Sequence, residues 1–243
     1  MNTAILAEKY RPSTLADIRG QEDATRALSL FLSAPASTAF IFEGGTGTGK
    51  TSAALALARD LGVDVDQKEF GGLHEISSGE QTAATVRELM ANLRHWPMTG
   101  SGWRVAIVNE ADAVTQGAAY TWLDVLESLP ERCVVIFTTN EVSKMPARWR
   151  DRCEVVHFAS SYRLLRDEAN RFLAEIWHKE TGGTEQPTID DLSGVVEDDE
   201  VSFRRLLQKL QPYVRAGKAP EPVAAATAAA KRAWETRRAN KAK

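Results

Sequence analysis

The chain has 243 residues, 43% hydrophobic and 26% charged, with a formal net charge of -3. That length allows one large domain and a small one, and the charge excludes a globally basic nucleic-acid-binding surface, so any basic patch must be local. Cys133 and Cys153 lie in or beside apolar runs without metal-ligand spacing and read as reduced core residues, which argues against a zinc site. No segment approaches the ~20 apolar residues of a membrane span, so the sequence predicts a soluble, cytoplasmic protein with no membrane partner.

In chain order, the first strong element is the apolar run 39–42, followed at 44–51 by Gly-Gly-Thr-Gly-Thr-Gly-Lys-Thr and then by the Ala/Leu-rich stretch 52–61. Strand, glycine-rich turn and helix in this order form a phosphate-binding loop, because glycines let successive N–H groups and a helix N-terminus surround a polyphosphate. Gly45, Thr46, Gly47, Thr48, Gly49 and Ser52 are the candidate backbone cradle. Lys50 supplies charge to the β- and γ-phosphates, and the Thr51 hydroxyl is offered to magnesium.

Further apolar runs at Leu73–Ile76, 105–108, 134–138 and 155–158 read as strands, separated by helix-length segments at 81–95 and 116–129. The alternation predicts an α/β fold with a parallel five-stranded sheet flanked by helices. Polar residues follow two of these strands: Asn109-Glu110-Ala111-Asp112 and Thr138-Thr139-Asn140. Beside a phosphate loop, an acid at such a strand end orients the attacking water, which makes Glu110 the candidate general base. Asn109 takes the place of the metal-holding carboxylate but brings no negative charge, while the Asn140 amide is placed to bridge water and the terminal phosphate.

Beyond residue 160 the pattern predicts only helices, at 162–179, 189–196 and 202–214, with a break at Gly182-Gly183. The stretch 216–243 is Ala-rich and ends in Lys231, Arg232, Arg237, Arg238, Lys241 and Lys243. It reads as a solvated, flexible or partly helical tail, with a salt-sensitive nucleic-acid or partner contact as the alternative.

Together these motifs resemble AAA+ ATPases, and they are most similar to the clamp-loader ATPase subunits of the replication factor C type. The specific match is Leu6-Ala7-Glu8-Lys9-Tyr10-Arg11-Pro12 followed by Asp17-Ile18-Arg19-Gly20-Gln21-Glu22, which resembles that family's adenine-binding signature. The resemblance covers about residues 5–212. It implies a nucleotide-binding domain over 1–159 and a helical lid over 160–215, with ATP and Mg2+ as cofactors. Tyr10, Arg11, Pro12 and Ile18 would hold the base, Glu110 would be the catalytic glutamate and Asn140 the first sensor. Arg152, in Arg150-Asp151-Arg152-Cys153, would reach a neighbouring subunit's ATP. Arg204 would be the phosphate-sensing arginine of the lid, with Arg205 as the alternative.

The resemblance also implies a homo- or hetero-oligomeric AAA+ ring working in DNA replication or repair, with a sliding clamp or other replication protein as partner and DNA within reach. Several positions depart from the family pattern. Asn109 stands for an aspartate, Asp151 for a serine, and the arginines usual in 77–82 and at Leu123-Asp124 are missing; the sequence also leaves no room for a collar domain of ~100 residues. Two other functions fit the same motifs: a weakly hydrolysing, structural ATP-binding subunit, and an AAA+ protein remodeller of the helicase-loader or defence-system type.

Overall fold

The computed structural model describes residues 5–67 and 70–220. A short helix α1 (Leu6–Lys9) and helix α2 (Glu22–Ser33) precede strand β1 (Thr38–Gly44) and helix α3 (Lys50–Asp60). There follow β2 (Leu73–Ile76), α4 (Ala83–Leu93), β3 (Arg104–Val108), α5 (Gln116–Glu127), β4 (Cys133–Thr139), α6 (Ala147–Arg150) and β5 (Glu154–Phe158). The five strands pair in the order β2-β3-β4-β1-β5, all parallel. This is the sheet the apolar runs predict.

Its two faces are covered separately, as an all-parallel sheet requires. Strand side chains alternate with period two, so Phe40, Phe42, Val105 and Ile107 pack with α2 and α3, while Ala39, Ile41, Ala106 and Val108 pack with α4, α5 and α6. The α3 run Ala53–Ala58 is entirely buried, because small alanines let the helix lie close on the strands. On the other face Trp122, Phe137 and Trp149 form a buried aromatic triangle with ring centroids 4.7–6.1 Å apart.

A third apolar cluster is built by α7 (Tyr162–Thr181) and α8 (Phe203–Ala216) together with Leu6. The Leu6 amide donates to Gln211 Oε1 at 2.7 Å, so the start of the described chain packs with its helical end. Arg19 adds a bridge, reaching Glu168 at 3.4 Å and Glu175 at 2.9 Å on α7.

One helix expected from the sequence is not formed. The stretch 189–196 contains a 3-10 turn at Ile189–Asp191 and then enters a small antiparallel hairpin of β6 (Val196–Glu197) and β7 (Glu200–Val201). Gly194, at φ +75°, breaks the run, β-branched valines follow it, and Asp198 and Asp199 take φ +48° and +69°. Positive φ at both central residues is the geometry of a two-residue hairpin turn whose twist matches the strands. The helix α8 closes at Gly217, φ +61°; of the basic stretch, 221–243 lie outside the described residues. No helix among the described residues is long and apolar enough to cross a membrane.

Candidate nucleotide site

The loop between β1 and α3 sits at the carboxyl end of the sheet, where open α/β folds place their ligands. Gly47 (φ +78°) and Gly49 (φ +104°) take conformations that disfavour side chains. At Gly47 a Cβ would also collide with Ser202 Oγ, which presses the loop from the start of α8. The Thr48 hydroxyl closes the turn on Gly45 O at 2.9 Å, and Thr46 is exposed.

Lys50 Nζ donates to Gly44 O (2.7 Å), Gly45 O (2.9 Å) and Asn140 Oδ1 (3.0 Å), which joins the loop to the end of β4. Burial, and then the Arg204 guanidinium, bring Lys50 down to about 8, against the opposing pull of Asp112, Glu200 and Glu110. These five side chains therefore share one electrostatic site, although their sequence positions span most of the chain.

Thr51 Oγ1 donates to Asn109 Oδ1 at 2.9 Å, and Thr138 Oγ1 donates to the same oxygen at 3.3 Å. Oxygen donors of this kind suit a hard cation such as magnesium, which keeps several waters and needs few protein ligands. Among the described residues no cluster of three or more His, Cys, Asp or Glu is placed to hold a metal.

Glu110 follows directly, in the left-handed region at φ +53°, with its amide donating to Thr138 Oγ1 at 3.2 Å. For a residue with a side chain this backbone costs about 1–2 kcal/mol, and such conformations cluster at functional sites.

Beside the loop lies a cavity of about 340 Å³. Nine of the expected residues line it: Tyr10, Arg11, Pro12, Ile18, Gly47, Thr48, Gly49, Ser52 and Arg204. Phe172, Phe203 and Leu207 complete an apolar wall that the sequence pattern did not single out. The Tyr10 hydroxyl donates to Glu180 Oε1 at 2.6 Å and its ring meets Phe172 edge-on. Burial, and then this carboxylate, push the phenol up. Gln21, 3% exposed, exchanges hydrogen bonds with Ala159 and donates to Thr48 O, fastening α2 to both the loop and the end of β5.

Two residues stand apart. Arg205 pairs with Glu197 at 2.6 Å, so of the two adjacent arginines it is Arg204 that faces the loop. Arg152 lies at the amino end of the sheet, where its guanidinium donates to Glu127 Oε1 (2.6 Å) and Arg148 O (3.0 Å). Gly44 pairs with Phe158 across β1 and β5, six residues beyond Arg152, or roughly 20 Å along a strand.

Comparison with known proteins bears on the family and the fold. The family model described as DNA polymerase III, delta subunit matches residues 21–161. A replication factor C small subunit from Halobacterium salinarum is 31% identical over 229 residues, covering 93% of this chain and 69% of that protein. The chain belongs to the AAA+ clamp-loader family. Another replication factor C small subunit, from Methanococcus maripaludis, is 30% identical over 205 residues; there this clamp-loader relative covers 62% of the other protein's length. The Thermotoga maritima RuvB Holliday junction branch migration motor, 17% identical with a TM-score of 0.54 over 84% of this chain and 72% of that one, shares the fold. So the clamp-loader family and the AAA+ fold are those that the opening signature and the strand-end motifs resemble.

Ser202, Glu200 and Gln21 make contacts in the site that the sequence alone does not assign. Only Gln21 carried a signal, being part of the quoted opening signature; the others act through contacts distant in sequence.

Proposed function

We propose that this chain binds ATP in the cavity between the sheet and the α7–α8 helices and hydrolyses it as one subunit of a ring that acts in DNA replication. The observation that carries the reading is Lys50 Nζ, which ties the phosphate loop to Asn140 within reach of Arg204 and Glu110. Residues 1–159 would act as the nucleotide-binding domain and 160–215 as a lid that closes through Arg204. The base would lie against Tyr10, Pro12, Ile18 and Phe172, and the phosphates on the loop amides of 45–51.

Magnesium would be held by the Thr51 hydroxyl and, through water, by Asn109; it would neutralise charge on the β- and γ-phosphates. Glu110 would accept a proton from the attacking water while Asn140 orients it, and Lys50 would stabilise the charge that develops. Since Arg152 is roughly 20 Å of strand from its own loop, it would serve a neighbour's γ-phosphate, which makes hydrolysis a property of the assembly.

The neutral amide of Asn109 favours a second reading, in which the subunit binds ATP firmly and turns it over slowly. Measuring ATP hydrolysis of the assembled protein beside its Glu110→Gln variant separates the two. Turnover abolished by that substitution supports the enzyme; a rate already negligible and unchanged by it supports the structural subunit. A sliding clamp and DNA are the partners this function would require.

A further inference from the structure

Gln81 belongs to no strand or α-helix, yet it is only 2% exposed. Its terminal NH2 donates to two consecutive backbone carbonyls, Asn109 O at 2.8 Å and Glu110 O at 3.1 Å. Its Oε1 is buried and has no hydrogen-bond partner among the described residues. Its own backbone carbonyl accepts from the hydroxyl of Thr115, the residue that caps the start of α5, at 3.3 Å.

We infer that Gln81 is a positioning residue for Glu110, holding the left-handed turn that aims the general base. The inference rests on the role proposed for Glu110 above. Two bonds from one amide to successive carbonyls fix the two peptide planes that flank Glu110, 109–110 and 110–111, and with them its φ and ψ. Those planes set the direction in which the Glu110 side chain leaves toward the shared field of Lys50, beside the Asn109 amide that meets Thr51.

Thr138 grips the same turn from the opposite strand, through the Glu110 amide and Asn109 Oδ1. The turn is thus held from two sides, and only Gln81 binds its carbonyls through a side chain among the described residues. A residue serving packing alone would not leave its amide oxygen orphaned in the interior, because an unpaired buried acceptor is destabilising. The arrangement is intelligible when the NH2 contacts are what the site needs.

The test uses the full chain in the assembly in which the wild type turns over, with ATP as substrate and a fluorescent ADP analogue as binding probe. Gln81→Met keeps the length and removes both donors; kcat should fall by about 10- to 100-fold, with KM and analogue affinity within about twofold of wild type. Gln81→Glu keeps the shape but sets a carboxylate against two carbonyl oxygens. Its kcat should be low near pH ~8 and recover, relative to wild type, as protonation toward pH ~6 restores one donor. Gln81→Met should show no such recovery. Unchanged kcat in Gln81→Met while Glu110→Gln is inactive overturns the inference and leaves the enzymatic reading standing. Parallel loss of kcat and analogue affinity in both variants, without pH recovery, also overturns it, since that is the mark of a packing role. A fully active Glu110→Gln removes both readings together.

Discussion

The two ends of the parallel sheet are built on opposite plans. At the carboxyl end, residues from three different segments converge until one ammonium has three oxygen partners, and one amide oxygen accepts two hydroxyls. At the amino end Arg152 stands on the surface, held by one carboxylate and one carbonyl. A convergent site is pre-organised and works on what enters it, whereas an exposed ion pair of about 0–1 kcal/mol is easily exchanged for a better partner. The difference teaches that this fold concentrates the proposed nucleotide site at one end and presents an exchangeable arginine at the other.

Breaking the exchangeable end should have the largest effect on rate. Arg152→Ala should lower ATP hydrolysis in the assembly by about 10³-fold, the scale of an arginine finger, while equilibrium nucleotide binding stays unchanged. Mixing Arg152→Ala chains with Lys50→Ala chains should restore part of the activity if the chain assembles with itself. A loss of nucleotide affinity in Arg152→Ala would erase the division between the two ends.

At the convergent end, Arg204→Ala should weaken ATP binding by about 10- to 100-fold, the loss of a charge-assisted hydrogen bond, as read by titration calorimetry. A smaller effect there than from Arg205→Ala would reverse the assignment of the two neighbours.

The Lys50 ammonium gives a pH test with two opposite signs. Burial lowers it from 10.5 to about 8 in the folded chain, so the unfolded chain binds more protons between those values. Stability of the nucleotide-free protein should therefore rise with pH in that window, and the burden is fully present below it. Nucleotide affinity should instead fall above about 8, by at most about tenfold per pH unit, as the phosphate-binding charge is lost. Thermal melts and binding isotherms on the same samples check both signs.

The smallest expected change is a gain. Asn109→Asp should raise magnesium affinity several-fold, about tenfold at most, by adding charge beside Thr51; an unaltered magnesium dependence would show that residue 109 acts only through its hydrogen bonds.

The sheet was legible because its strands are short apolar runs ending in polar residues, and 105–108 is apolar at every position. The phosphate loop was legible because its chemistry lies in eight consecutive residues. The hairpin was not: 189–196 has the length and apolar spacing of a helix, and the positive φ of Gly194 and the left-handed Asp198-Asp199 turn decide otherwise. Local composition does not favour that turn, since Asn-Gly or Asp-Gly is its usual signal. Gln81 stayed hidden for a different reason. Its partners lie 28 and 29 residues away, and a glutamine that opens a helix-length segment gives no sign of facing inward.

The hairpin itself is too short to persist alone, since even longer isolated two-stranded ribbons are marginal in water. It exists because Val201 donates its amide to Ser160 O and Tyr162 donates to Asp199 O, both at 2.7 Å. Those bonds lie on the segment that links the sheet to α7, so any rotation about that segment must pull the hairpin apart or carry it along. If the lid moves by pulling the hairpin free, the amides of Val201 and Tyr162 should exchange with heavy water at one common rate, and two unrelated rates would show that the hairpin travels with the lid.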